Sequence, residues 1–369
     1  MNIPFVDLKT QYSKIKDEIL QGINEVLDNT AYVCGKKVKQ FEETFSKLQN
    51  VKYCAGLSSG TDALHTALKA IDIQPGDEVI VPVNTFIATS ESISLCYAKP
   101  VFVDHNIRTY NIDTEKIEKA ITNKTKAIIP VHLYGQPAEM DKIIEIAKKH
   151  NLYVIEDCSQ AHLSEYKGKL TGGIGDIGTY SFYPGKNLGA YGEAGAVVTN
   201  NEDLYIKMLK FRQHGSIEKY MHDIEGHNYR MEELQAAVLN VKAKYINEWT
   251  GKRRKIAEKY SKGLSSIGED NITVPYCPDN IKAVYHLYVI RTSRREELSK
   301  YLNENGVQTA LHYPLPLHMQ KAYEYLKYKE GDFPAAEKCC KQILSLPMFP
   351  EMTDEQIDYV INSVKSFFD

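Results

Sequence analysis

Between residues 79 and 198 short apolar runs alternate with amphipathic stretches, and this alternation restricts the possible fold more than any other feature of the chain. The runs are Val79-Ile80-Val81, Val101-Phe102-Val103, Ala127-Ile128-Ile129, Tyr153-Val154-Ile155, Thr179-Tyr180-Ser181-Phe182 and Ala196-Val197-Val198. Rich in β-branched and aromatic side chains, they read as strands. Helical patterns fall around them, near 61–70, 86–96, 114–121, 138–149 and 202–213. Strands alternating with helices imply a mostly parallel sheet covered on both faces, an α/β architecture.

The flanking regions have a different texture. Ile15, Ile19, Ile23 and Leu27, then Val38, Phe41, Phe45 and Leu48, recur at helical spacing and predict two helices joined by an irregular turn at Cys34-Gly35. A long helical pattern over 231–262, with a break expected near Thr250-Gly251, is the candidate connector between domains. Beyond it come one strand, Tyr285–Arg291, helices near 294–304, 334–344 and 354–368, and a Pro/His-rich loop, His312–His318. The expected division is a large domain, 1–245, and a smaller α+β domain, 246–369.

Composition narrows the function classes. Of the 369 residues, 43% are hydrophobic and 25% charged, which is ordinary for a water-soluble globular protein. A net charge of −3, with the Lys252-Arg253-Arg254-Lys255 run offset by nearby carboxylates, argues against a nucleic-acid partner. No apolar stretch approaches the roughly 18 residues of a membrane span, and Met1-Asn2-Ile3-Pro4 opens no signal-peptide pattern, so a cytoplasmic location is expected. The cysteines at 34, 54, 96, 158, 277, 339 and 340 form no CxxC pair or zinc-spaced cluster, which predicts reduced thiols and no metal.

Three short motifs carry the chemistry. In Ser58-Ser59-Gly60-Thr61-Asp62-Ala63-Leu64 small polar residues lead into a helix, whose unpaired N–H groups suit either a phosphate or simply an N-cap. Asp157 ends the run Tyr153-Val154-Ile155-Glu156-Asp157, where open α/β sheets collect ligand-binding side chains and where helix caps also occur. Lys186 lies in Ser181-Phe182-Tyr183-Pro184-Gly185-Lys186-Asn187-Leu188-Gly189. A lysine is ordinarily a surface residue, but the flanking glycines and two apparently buried strands suit one that turns inward, loses hydration and reacts as an amine.

These pieces resemble the sugar-nucleotide aminotransferases of the DegT/DnrJ/EryC1/StrS group, which are fold-type-I pyridoxal-phosphate enzymes. The likeness includes Pro4-Phe5-Val6-Asp7-Leu8, Ser59 to Leu64, Asn84-Thr85-Phe86-Ile87-Ala88, Pro100 to Asp104, His132-Leu133-Tyr134-Gly135, Glu156-Asp157 with Gln160-Ala161-His162, the lysine loop, Arg212 with His214-Gly215, and Asn228-Tyr229-Arg230-Met231. The resemblance implies a seven-stranded sheet and pyridoxal 5′-phosphate held by Lys186 as a Schiff base, with Asp157 at the pyridine nitrogen. Phe86 would stack on the ring, Gln160 would reach its 3-hydroxyl side, and Gly60, Thr61 and Ser181 would hold the phosphate. Asn228 would enter from the second subunit of a homodimer. His162, Tyr183, Arg212 and Tyr313 are candidate substrate contacts.

The loop Pro184-Gly185-Lys186-Asn187-Leu188-Gly189-Ala190-Tyr191-Gly192-Glu193-Ala194-Gly195 is similar to the branch that aminates C3 of the sugar. The expected reaction is transfer of an amine from L-glutamate to a nucleotide-linked 3-keto-6-deoxyhexose, dTDP-linked ahead of UDP-linked, in making an amino sugar for a bacterial surface glycan or glycosylated metabolite. A 4-keto sugar is the alternative, because Tyr229 stands where the C3 branch often has serine. Cys158-Ser159 and His162-Leu163-Ser164 also depart from the usual pattern. A dehydratase would carry histidine at Lys186, and a non-catalytic regulator would have no need of the Asp157, Ser181 and Lys186 set.

Overall fold

A computed structural model describes residues Met1–Asp369. The strands are β1 (Tyr53–Leu57), β2 (Glu78–Pro82), β3 (Lys99–Val103), β4 (Thr125–Ile128), β5 (Tyr153–Asp157), β6 (Glu165–Tyr166), β7 (Lys169–Leu170), β8 (Ile177–Ser181), β9 (Gly195–Thr199), β10 (Ile281–Lys282), β11 (Tyr288–Arg291) and β12 (Ile343–Leu346). The helices are α1 (Leu8–Asp28), α2 (Lys36–Leu48), α3 (Gly60–Ala70), α4 (Ala88–Leu95), α5 (Thr114–Ala120), α6 (Met140–His150), α7 (Glu202–Arg212), α8 (Glu233–Ala243), α9 (Ile246–Leu264), α10 (Arg295–Glu304), α11 (Pro334–Gln342) and α12 (Asp354–Phe368).

The main sheet has seven strands in the order β1-β9-β8-β5-β4-β2-β3. All neighbours from β8 to β3 are parallel, and β9 alone runs against both of its neighbours. Side chains alternate across it with period two: Val79 and Val81 enter the core beneath α3, α4 and α7, and Ile80 enters a core shared with α5 and α6. Toward the β1 end, Cys54, Tyr180, Ala196 and Val198 pack on α2 and α8 through Phe41, Phe45 and Leu239. Helices therefore cover both faces, and the carboxyl ends of the parallel strands stay open to loops.

A separate core joins α9, α10 and α12 to the β11–β12 pair through Tyr260, Leu298, Leu302, Leu344, Leu346, Val360 and Val364. Ile3 belongs to this core, because its N–H donates to the Gly306 carbonyl at 2.8 Å and its own carbonyl accepts from Gln308 N–H at 3.0 Å.

Three local expectations are corrected. The small-residue strand β1 gave no apolar run, yet its whole length pairs with β9. The helix pattern over 231–262 breaks at Lys244-Tyr245 rather than at Thr250-Gly251, and Gly251 sits inside α9 with open space around it. Ile343 and Leu344 leave α11 to become a strand. Within the basic run Lys252–Lys255, Arg253 is buried and donates to the carbonyls of Tyr285, His286 and Met348.

Candidate active site

The turn after β1 leads into α3, where Ser59 caps the helix: its Oγ accepts from Asp62 N–H at 3.1 Å and its carbonyl accepts from Ala63 N–H at 3.0 Å. Of the first four amides of α3, those of Gly60 and Thr61 are left without an acceptor in the helix. Ser181, at the end of β8, lies against them so closely that a Cβ on Gly60 would sit 2.6 Å from the Ser181 Cβ. Two amides at the positive end of a helix, with a serine hydroxyl beside them, form a cradle for a phosphate-sized anion.

Asp157 ends β5 and is 4% exposed. Its Oδ2 accepts from the Thr89 hydroxyl at 2.8 Å and its Oδ1 accepts from Ser159 N–H at 3.1 Å. Thr89 in turn lies 3.0 Å from the Thr85 hydroxyl, so the start of α4 sets the angle of the carboxyl group. The same segment presents Phe86, 54% exposed, with its ring 5.8 Å from that of Tyr313. The Tyr313 hydroxyl accepts from Gln160 Nε2 at 3.2 Å, and Gln160 Oε1 accepts from Tyr134 N–H at 2.6 Å.

Lys186 follows β8 in a loop tied by two internal bonds, Lys186 N–H to the Tyr183 carbonyl at 2.8 Å and Ala190 N–H to the Phe182 carbonyl at 2.7 Å. Burial penalises its ammonium and brings the pKa down to about 8, while the Asp157 charge pulls it part of the way back. His286 and His312 lie close enough to feel the Lys186 charge. Burial first, and then Lys186, hold His312 near 4 and His286 well below its usual value, so both are neutral at pH 7. Asn187 links this group to the C-terminal part of the chain, donating to the Val284 carbonyl at 3.2 Å and meeting His286 Nδ1 at 3.3 Å.

The structure thus gathers Gly60, Ser181, Asp157, Gln160, Tyr313, Phe86 and Lys186 at one edge of the sheet. Two expected substrate contacts do not join them. His162 is fully buried among Phe45, Tyr180 and Phe182, so a sugar has no access to it. Arg212 donates to Glu42 Oε1 at 2.6 Å and to the Gly56 carbonyl at 2.7 Å, and it lines a cleft of about 450 Å³ that none of Lys186, Asp157 or Ser181 borders. Tyr183 is 54% exposed, and Asn228 is exposed beside its bridge to Gln213. Thr89, Asn187 and His286 were not foreseen. Thr89 directly follows the Asn84–Ala88 motif, and Asn187 stands inside the lysine motif, so both had a signal; His286 had none.

Beneath Asp157, His132, Glu156 and Cys158 bring potential metal-binding atoms within 4.8 Å of one another. Their carboxylate and imidazole atoms are already engaged. Glu156 accepts from His132 Nε2 and from the amides of Gly172, Ile174 and Gly175, and His132 Nδ1 accepts from Ala138 N–H. This network braces the strand end that carries Asp157. All seven cysteines are free, and no helix is long and apolar enough to cross a membrane.

A carboxyl group, a lysine with a depressed pKa and an anion cradle on one sheet edge fit pyridoxal 5′-phosphate. Lys186 would hold its aldehyde carbon, Asp157 its ring nitrogen, and Gly60, Thr61 and Ser181 its phosphate. Comparison with known proteins agrees: the profile described as DegT/DnrJ/EryC1/StrS aminotransferase family matches residues 13–365, and the chain belongs to that family. It is a pyridoxal-phosphate-dependent aminotransferase.

Among its relatives, a "pleiotropic regulatory protein" of Geobacillus stearothermophilus is 46% identical over 100% of this chain and 99% of its own length. A dTDP-3-amino-3,6-dideoxy-alpha-D-galactopyranose transaminase of Aneurinibacillus thermoaerophilus is 44% identical, covering 99% of each. A UDP-N-acetyl-3-dehydro-alpha-D-glucosamine 3-aminotransferase of Acidithiobacillus ferrooxidans is 42% identical over 98% of this chain and 97% of its own. The solved structure of Streptomyces venezuelae DesV superposes with a TM-score of 0.98 at 39% identity, covering 100% of this chain and 99% of that one.

Proposed function

We propose that the enzyme transfers an amino group from L-glutamate to C3 of a dTDP-linked 3-keto-6-deoxyhexose. The observation that carries the transamination is the pairing of Lys186, its amine depressed to about 8, with the Asp157 carboxyl beside the Gly60–Ser181 cradle. Bound there, pyridoxal 5′-phosphate supplies an electron sink for the charge left when a substrate loses its Cα proton. Asp157, held by Thr89 and the Ser159 amide, keeps the ring nitrogen protonated. Lys186 Nζ would hold the cofactor and, when free, would act as the base that takes the substrate's Cα proton, and its low pKa suits a base working near neutral pH. Gln160, whose Oε1 accepts from the Tyr134 amide, would face the 3-hydroxyl side, and the exposed Phe86 ring would cover the ring plane.

Tyr313 and the exposed Tyr183 are the remaining candidate sugar contacts. Asn228 completes the phosphate site from a second copy of the chain; its exposure, and the run of exposed Ile217, Tyr220, Met221 and Ile224 before it, support a paired surface. C3 amination is supported by the activities for which the Aneurinibacillus and Acidithiobacillus relatives are named. The second of these favours, as the other reading, a UDP-linked 3-keto sugar. The name of the Geobacillus relative describes regulation, which would leave Lys186 and Asp157 without a use.

An absorbance spectrum tests the chemistry: cofactor added to the pure protein gives a band between about 330 and 430 nm that Lys186→Ala lacks. Persistence of the band in Lys186→Ala removes Lys186 from its role. Incubation with glutamate and each of several 3-keto and 4-keto sugar nucleotides, with NMR to locate the new amine, tests the substrate. Amination at C4 alone overturns the C3 assignment.

A further inference from the structure

Lys242 is a second lysine close to the lysine loop, and no part of the proposed reaction uses it. It lies on α8 with 1% exposure. Its Nζ donates to the Gly189 carbonyl at 2.6 Å and stands 4.9 Å from the centre of the Tyr191 ring. One turn pair earlier on the same helix, Gln235 Oε1 accepts from Tyr191 N–H at 3.0 Å, and a Cβ on Gly192 would meet Gln235 Nε2 at 2.7 Å. Gly189 is itself packed on the Pro184 carbonyl, so the segment from 184 to 189 closes tightly on itself with Lys186 inside it. An ammonium group is excluded from protein interiors unless something there needs it. The only hydrogen bond made by this one goes to the loop of Lys186.

We propose that Lys242 is a positioning residue: through the Gly189 carbonyl it holds the loop so that the Lys186 amine stands where the carbonyl carbon of the cofactor binds. The grip is two-sided. Asn187, next to the lysine, is tied to Val284 and His286, so the loop is held both by α8 and by the segment before β11. Burial lowers the Lys242 pKa to about 8, partly restored by Glu351, which leaves a substantial share of the group cationic near neutral pH.

The proposal rests on Lys186 being the Schiff-base lysine, and the test separates the two. Cofactor-free wild type, Lys242→Met and Lys186→Ala are mixed with pyridoxal 5′-phosphate, and the rate of Schiff-base absorbance is recorded. In parallel, the dissociation constant of pyridoxamine 5′-phosphate, which forms no bond with lysine, is measured by calorimetry. A misplaced amine reacts on the order of 10- to 100-fold more slowly, so Lys242→Met is expected to show that slowing with pyridoxamine phosphate affinity changed by less than about threefold. Unchanged Schiff-base rates overturn the role of Lys242, and so does an equal loss in both measurements, which marks a general structural part. A Schiff-base band that survives in Lys186→Ala instead overturns the reading beneath it. If Lys242→Met does not fold, Lys242→Gln, uncharged and shorter in reach, is read by the same two measurements with the same expected split.

Discussion

At the scale of single residues, the behaviour of Lys186 follows from two opposed forces. Desolvation drives its proton off and the charge of Asp157 draws it back, with desolvation the larger. In cofactor-free protein, the pH midpoint for labelling Lys186 with an amine-selective reagent, followed by mass spectrometry, is expected near 8. Asp157→Asn removes the opposing force, so the midpoint should move lower still; a rise would show that Asp157 does not stabilise the ammonium. Thr89 is the subtler case. Thr89→Val keeps shape and removes the donor to Asp157 Oδ2, so turnover should fall while folding stability changes by only about 1 kcal/mol, measured by urea unfolding. Turnover equal to wild type would show that Ser159 N–H alone orients the carboxyl group.

Elements carry the next layer. Gly60 begins α3 at the point where β8 delivers Ser181, and a side chain there must push the two apart. Gly60→Ala is therefore expected to weaken pyridoxamine 5′-phosphate binding by at least about tenfold, since the cradle is the main anchor for the phosphate, and calorimetry reads it directly. Helix α2 depends on a remote residue: buried Glu233 of α8 accepts from the amides of Gly35, Lys37 and Val38, in place of a local cap. Glu233→Ala should cost about 2–3 kcal/mol in urea unfolding, because three amides, that of Val38 buried, lose their acceptor at once.

The sequence made the sheet legible where strands were apolar throughout, as in Val79-Ile80-Val81. It hid β1, since Tyr53-Cys54-Ala55-Gly56-Leu57 is small to let Met231 pack over Gly56. It also hid Ile343-Leu344, because an apolar pair just past a helix fits either period. Of the site, Lys186 and Asp157 were readable through their neighbours in sequence. The distant partners that fix them, Lys242 for the loop and Thr89 for the carboxyl, needed three dimensions. His162 and Arg212 misled because a motif position does not reveal which way a side chain faces.

At the scale of the whole molecule, the proposed pairing of two chains has a direct test. If each site combines Lys186 of one chain with Asn228 of the other, then Lys186→Ala and Asn228→Ala proteins are each impaired alone. Dissociated together and reassociated, they should recover about a quarter of wild-type activity, since half of the pairs are mixed and each mixed pair has one intact site. No recovery would place both residues in the same chain's site.

The reversed strand β9 bears on how the protein is made. It is the only link between β1 and the rest of the sheet, so the α3 cradle at 60 and the lysine at 186 are brought together by a ladder that pairs residues 53–57 with 195–199. Closing so long a loop is slow, and a ribosome releases the N-terminal partner well before the C-terminal one exists. Residues 53–57 must therefore wait, edge unpaired, while about 140 further residues emerge. The frame that seats the cradle beside the lysine loop is therefore completed only late in synthesis, and a chaperone covering β1 would protect its open edge until then.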